Sequence, residues 1–243
     1  MDEHIRLTPQ ELTGRSRTHI VELEAPRCSV HRAVAGPLLA LRAAAAGQDI
    51  DLVPVSAFRD FGRQLAIWNG KCRGERPLRG CDGSLLDCGA LDEDALVTAI
   101  LHWSALPGAS RHHWGTELDF VDAAAQPVEA AQLVTHEYAP DGVYARLNSW
   151  LDAHAARFGF YRPYVTDRGG YQPEPWHLSY APVALPAQAA LTLELLREVL
   201  SESPLDAKSA VLRRLPELHQ RYVVNVDPPP TLLTRSSPGS RPS

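Results

Sequence analysis

Residues 116–122, TELDFVD, form a segment that few soluble folds can accommodate. In an extended strand successive side chains face opposite ways, so Leu118 and Phe120 turn to one face and Glu117, Asp119 and Val121 to the other. The Leu118 face is core. The other face then carries two carboxylates close together in a mostly apolar setting, and an uncompensated anion there costs several kcal/mol or more. A divalent cation would compensate it, and a histidine pair, His112–His113, stands just upstream of Asp119.

A chain of 243 residues, 44% apolar and 22% charged, supports one sizeable core or two small ones. Its net charge of -5 excludes the basic excess that tracks along a phosphate backbone, so nucleic acid is not an expected partner. No stretch reaches the ~20 apolar residues of a membrane span. The opening MDEHIRLTPQ places acids where a secretory leader needs positive charge, and the expected location is the cytoplasm. Cys28, Cys72, Cys81 and Cys88 lack C-x-x-C spacing and read as free thiols.

Residues 1–29 read as an N-terminal segment. From Val30 to Ala45 the chain is rich in Ala and Leu and is stopped by Gly47, which predicts one helix. IDLVPVSAFR predicts a short strand, and DFGRQLAIWNG a helix capped by Asp60 and ending at Gly70. Residues 71–89 predict a long loop, and DEDALVTAILHWSAL a helix with acids in its first turn. YARLNSWLDAHAARFGF is helical by its periodicity, and PWHLSYAPV is strand-like. Two more helical stretches, 184–226 in all, follow as a C-terminal extension. Residues 227–243, rich in Pro and Ser, predict a disordered tail.

His112 offers an imidazole nitrogen and Asp119 an oxygen, a mixed donor set that suits zinc, with a further ligand leaving one position for water. EPWHLSY supplies His177 as that ligand and, three residues before it, Glu174. A carboxylate near an activated water can take its proton and hand it to the leaving amine. His102, His136 and His154 read as packing residues, as does His113, although spacing alone leaves it a close rival to His112.

The pattern S-x-H-x-x-G-x-A-x-D followed by E-x-W-H resembles that of the VanY-like D-alanyl-D-alanine carboxypeptidases of the M15 metallopeptidase family. Ser110, His112, Gly115 and Asp119 match the first block, and Glu174, Trp176 and His177 the second. An upstream S-x-x-R-x-x-x-x-Q is matched by Ser56, Arg59 and Gln64. The resemblance implies an α+β, Hedgehog/DD-peptidase-like domain over residues 30–183, in which a small, mainly antiparallel sheet carries a zinc site and helices pack around it. It implies His112, Asp119 and His177 as zinc ligands, Glu174 as general base, and Arg59 as the group that holds an anionic group of the substrate or transition state, for which the substrate's terminal carboxylate suits an arginine fork. Ser56, Gln64 and Ser110 would be hydrogen-bonding residues around that substrate.

The implied reaction is release of C-terminal D-alanine from a peptidoglycan stem peptide. A cytoplasmic enzyme would meet soluble muropeptides rather than intact wall. An L,D cut in a tetrapeptide is favoured on location, because D,D activity there would attack the D-Ala-D-Ala precursors. The rival is a zinc-containing module that binds wall fragments without turnover, which would have no need of Glu174. One departure stands out: the family's usual alanine is Glu117 here. It would hydrogen-bond to a ligand, compete for the metal, or narrow the pocket, and the residues alone leave the three open.

Overall fold

A computed structural model describes residues 6–231. The chain runs through α1 (Pro9–Leu12), the hairpin β1 (Ile20–Glu24) and β2 (Arg27–His31), α2 (Ala35–Ala46), β3 (Leu52–Ser56) and α3 (Phe61–Cys72). A two-residue hairpin, β4 (Leu78–Arg79) and β5 (Leu85–Leu86), leads to α4 (Glu93–Leu101) and β6 (Glu117–Asp122). α5 (Ala145–His154), β7 (Phe160–Tyr161), β8 (His177–Tyr180), α6 (Ala181–Ala190), α7 (Leu193–Glu202) and α8 (Lys208–His219) complete it. This is the mixed architecture expected, with an all-antiparallel sheet in the order β3-β6-β8-β7 at its centre.

Local chemistry accounts for most element starts. Asp60 caps α3 by accepting from the Arg63 amide at 2.7 Å, and Asp92 caps α4 by accepting from Ala95 at 2.8 Å. β3 tolerates Pro54 because it is an edge strand, and its pairing to β6 is interrupted by a bulge between Pro54 and Ser56, directly beside Asp119. The helix expected from Val30 begins instead at Ala35. Val30 is a strand residue paired with Val21, fully buried in the hairpin; its β-branched side chain fits that pleated surface, a preference hidden beside the helix-forming alanines. Likewise the loop expected at 71–89 closes on itself as β4–β5, and PWHLSYAPV stops being a strand at Tyr180, where α6 starts with a proline in its first turn.

Leu118, Phe120 and Leu178 from the sheet pack with Leu38, Leu41, Leu147 and Leu151 of α2 and α5. Val121, expected on the face of Glu117 and Asp119, is buried in this cluster too. A second cluster joins Trp68 of α3 and Ile100 of α4 to Leu196, Leu200, Val211 and Leu215 of α7 and α8. Each such side chain contributes about 1.5–3 kcal/mol on burial. Among the described residues no helix is long and apolar enough to cross a membrane.

Beyond α8 the chain passes through one π-helical turn, Gln220–Val224, and grips the loop that precedes β8. Asp227 accepts from the amides of Val165 at 2.8 Å and Thr166 at 2.9 Å and from the Thr166 hydroxyl at 2.8 Å. Asn225 donates to the Arg168 carbonyl at 2.8 Å and accepts from its guanidinium at 2.9 Å, and Arg221 donates to the Gly169 carbonyl. Asp227, the first residue of the expected disordered tail, is therefore tied to the fold, while residues 232–243 lie outside the described residues. Asp227→Ala removes charge-assisted bonds worth about 1.5–3 kcal/mol each, so tryptic cleavage after Arg168 should accelerate about tenfold or more. An unchanged rate in a limited-proteolysis time course would show that the loop holds itself.

Candidate metal centre

The first donor sits on a single 3-10 turn, Arg111–Trp114, that ends at Gly115 in the left-handed region, φ 66°. A Cβ on Gly115 would lie 2.6 Å from the backbone nitrogen of His31, so only glycine allows this turn to run straight into β6. The other two donors come from the sheet itself. The β6–β8 register sets Asp119 directly opposite His177 and Glu117 directly opposite Ser179, so all four side chains share one face.

The His177 Nδ1 lies 2.9 Å from Asp119 Oδ1, and His112 Nε2 lies 3.5 Å from Asp119 Oδ2. One donor atom from each of His112, Asp119 and His177 falls within 4.8 Å of the other two, and all three residues are buried. The His112 Nδ1 donates to the Ala57 carbonyl at 2.7 Å, which fixes its proton there and leaves the Nε2 lone pair directed toward Asp119. Two imidazoles and a carboxylate, one imidazole already set in a ligating tautomer, fit a divalent cation. Burial holds His112 down to about 3, so it is neutral, as a ligand must be. Burial opposes charge on His177 as well, but its hydrogen bonds to Asp119 and Glu117 outweigh this and raise it to about 10.

Glu174 brings its Oε2 to 3.4 Å from His177 Nδ1, and burial pushes its carboxyl up to about 7. Arg59 lies across the same cleft, a cavity of about 910 Å³. Its guanidinium donates to Gln64 Oε1 at 2.7 Å and to Ser56 Oγ at 3.3 Å, and its backbone amide donates to the His112 carbonyl at 3.1 Å. Gln64 is fully buried, its own amide donating to the Ala105 carbonyl at 2.7 Å, and neither it nor Ser56 lines the cleft. Both residues, expected to supply hydrogen bonds around the substrate, bond to the guanidinium of Arg59. Ser110 does line the cleft.

His113 is a packing residue: its Nδ1 donates to the Arg59 carbonyl at 2.6 Å and its Nε2 accepts from the Gly108 amide at 3.1 Å. His154 packs at a tilt against Trp150, with ring centroids 4.9 Å apart. His136 departs from the expected packing role: it is exposed on the cleft wall. The Nδ1 of the half-buried His102 has no hydrogen-bond partner among the described residues.

The cleft also holds residues that sequence reasoning passed over: Trp103, Tyr164 and Tyr171 on its walls, and Arg79 from the β4–β5 hairpin. Nothing in their spacing marks them, because Trp103, Tyr164 and Tyr171 reach the cleft from loops and Arg79 from a strand of two residues. Arg111, the unspecified residue between Ser110 and His112, sits 3.3 Å from Glu117 and carried a signal that could have been used. A buried acid on a central strand needs a cation, and this one is six residues away.

The family model described as VanY, D-alanyl-D-alanine carboxypeptidase, matches residues 27–183, well over half of the chain. An uncharacterized protein of Haemophilus influenzae (strain ATCC 51907 / DSM 11121 / KW20 / Rd) is 44% identical over 106 residues, covering 42% of this chain and 72% of that protein. A second from the same organism is 30% identical over 122 residues, 49% of this chain and 93% of that one. Among solved structures, VanYB in complex with D-alanine-D-alanine is 21% identical over 76% of this chain and 89% of its own, with a TM-score of 0.48. A VanY D,D-pentapeptidase variant in complex with Zn(II) is 19% identical over 81% of this chain and 92% of its own, with a TM-score of 0.48. By the match over residues 27–183, this chain belongs to the VanY D-alanyl-D-alanine carboxypeptidase family.

Proposed function

We propose that the protein is a zinc-dependent carboxypeptidase that hydrolyses the bond before the C-terminal D-alanine of peptidoglycan stem peptides, acting on soluble muropeptides in the cytoplasm during cell-wall recycling. The observation that carries this reading is the convergence of His112, Asp119 and His177 within 4.8 Å of one another, with Glu174 beside them. Two nitrogens and one oxygen favour zinc over harder cations. Bound by these residues, zinc would polarise the scissile carbonyl and make water nucleophilic at neutral pH.

The chain's own groups account for the remaining work. Glu174, with a carboxyl raised toward neutrality, accepts a proton from the attacking water and returns it to the departing amine. Arg59 receives the terminal carboxylate of the peptide. Two of its five donors are spent on Gln64 and Ser56, which hold the guanidinium plane still, and the residue lines the cleft with donors to spare. Tyr164, Tyr171 and Trp103 seat the peptide against apolar walls and keep bulk water from it.

Incubating the metal-loaded protein with tri-, tetra- and pentapeptide muropeptides, read by mass spectrometry, should release free D-alanine. Release from the tetrapeptide defines an L,D cut and release from the pentapeptide a D,D cut. Zinc retention with no release from any substrate marks a binding module instead, and cleavage of crosslinked dimers without D-alanine marks an endopeptidase. Glu174→Gln should lower turnover about 10²–10⁴-fold while zinc content stays that of the wild type. His177→Ala should lose the ion. A Gln variant with wild-type rates would assign the base to another group. Arg59→Lys keeps the charge but loses the fork, and should lower kcat/KM about 10-fold or more. An unchanged value would put the carboxylate site elsewhere.

A further inference from the structure

Glu117 is fully buried behind the donor triangle, where the family pattern carries alanine. Its Oε2 lies 2.7 Å from the Nε2 of His177, and its Oε1 accepts from Ser179 Oγ at 2.7 Å and from Thr116 Oγ1 at 2.8 Å. The Nε of Arg111 stands 3.3 Å from Oε2. Arg111 is held in turn: it donates to Gln188 at 2.9 Å, to the Tyr161 hydroxyl at 2.9 Å and to Ser179 Oγ at 2.7 Å, and its guanidinium lies 4.7 Å over the Trp114 ring. Both oxygens of Glu117 are thus occupied, and its charge is matched by a buried arginine.

We infer that Glu117, backed by Arg111, is a positioning residue that holds the Nε2–H of His177 and so presents Nδ1 to a cation shared with His112 and Asp119. This rests on the metal reading above. The geometry separates the three roles open to this carboxylate. Glu117 is not a member of the donor triangle and would have to leave Ser179, Thr116 and Arg111 to enter it. It does not line the cleft, so it does not narrow it. What remains is the hydrogen bond to the ligand. On that side of the ring Nε2 faces Glu117, and on the other Nδ1 faces Asp119 and Glu174 at 2.9 and 3.4 Å. A carboxylate behind a ligating imidazole fixes the tautomer and raises the ring's basicity, and losing one typically costs 10–100-fold in metal affinity. Arg111 lets the site gain that bond without adding net negative charge.

Two measurements test this. In the metal-free protein, ¹⁵N-edited NMR should show a slowly exchanging Nε2–H of His177 in the wild type, absent in Glu117→Ala. In chelator competition, Glu117→Gln, which preserves shape, should bind zinc 10–100-fold more weakly, while the Co(II)-substituted variant keeps the wild-type visible band pattern. Wild-type zinc affinity in both variants would overturn the role of Glu117 and leave the metal reading intact. A zinc affinity lowered as far as in His177→Ala, with an altered band pattern at saturating Co(II), would make Glu117 a ligand and overturn it equally. A wild-type protein that shows the Nε2–H signal yet takes up no zinc would remove the metal reading, and this role with it.

Discussion

Glu117 and Asp119 lie two residues apart on a strand with no exposed residue, and the sheet around them is arranged to compensate both. Neither carboxylate is left to desolvation. Burial would raise both, but His112, His177 and Arg59 pull Asp119 down to about 2, and Arg111, His177 and Ser179 do the same for Glu117. One imidazole serves both anions because the antiparallel register sets His177 opposite Asp119 and diagonal to Glu117. Shifting β8 by one residue would turn His177 into the apolar face and bring Leu178 onto the polar one. The pairing of β6 with β8 is therefore at once a core contact and the step that assembles the site, and stability and chemistry depend on the same register.

That dependence explains what the sequence made legible. His112 and Asp119 are joined by one tight turn and one strand start, and Glu174 and His177 by one turn, so the chemistry forces short fixed spacings that a reader can find. The caps of α3 and α4 are legible for a similar reason: Asp60 and Asp92 act within three residues of themselves. Features that depend on distant partners were not. Val30 looks helical beside its alanines until Val21 pairs with it, and Tyr164 and Tyr171 look like loop residues until the cleft closes over them. Gln64 belongs to a motif, but only burial and its bond to the Ala105 carbonyl show that it acts through Arg59.

Residues beyond the family match reach the site by three separate routes. Gln188 of α6 binds Arg111, which stands behind Glu117. Tyr222 packs edge-on against Tyr171, Tyr171 edge-on against Tyr164, and Tyr164 at a tilt against His177, with centroid separations of 5.2, 5.1 and 5.0 Å. Asp227 and Asn225 fasten residues 165–168, between Tyr164 and Tyr171. A loop of this length carrying Glu174 would lose precision if only its ends were fixed, and for the proton-carrying role proposed for Glu174 a misplacement of about 1 Å would cost on the order of 10²-fold in rate. The C-terminal segment thus braces the site even though, among the described residues, none after 183 belongs to the donor set.

Arg59 shows the complementary problem of keeping a charge available. Burial lowers its pKa, and the carboxylates of Asp119 and Glu174 act in the opposite sense, yet neither forms an ion pair with it within 4.0 Å among the described residues. Its direct partners are the neutral Gln64 and Ser56, which fix its direction without neutralising it. A direct salt bridge would have to be broken before an anionic ligand could bind, at a cost that partly buried ion pairs make large. Holding the guanidinium by neutral acceptors, with anions near enough to favour its charge but too far to pair, leaves it oriented and unneutralised at the cleft wall. The same logic runs through Glu117 in reverse, where a fully paired carboxylate is withdrawn from the cleft and its effect is passed on through His177.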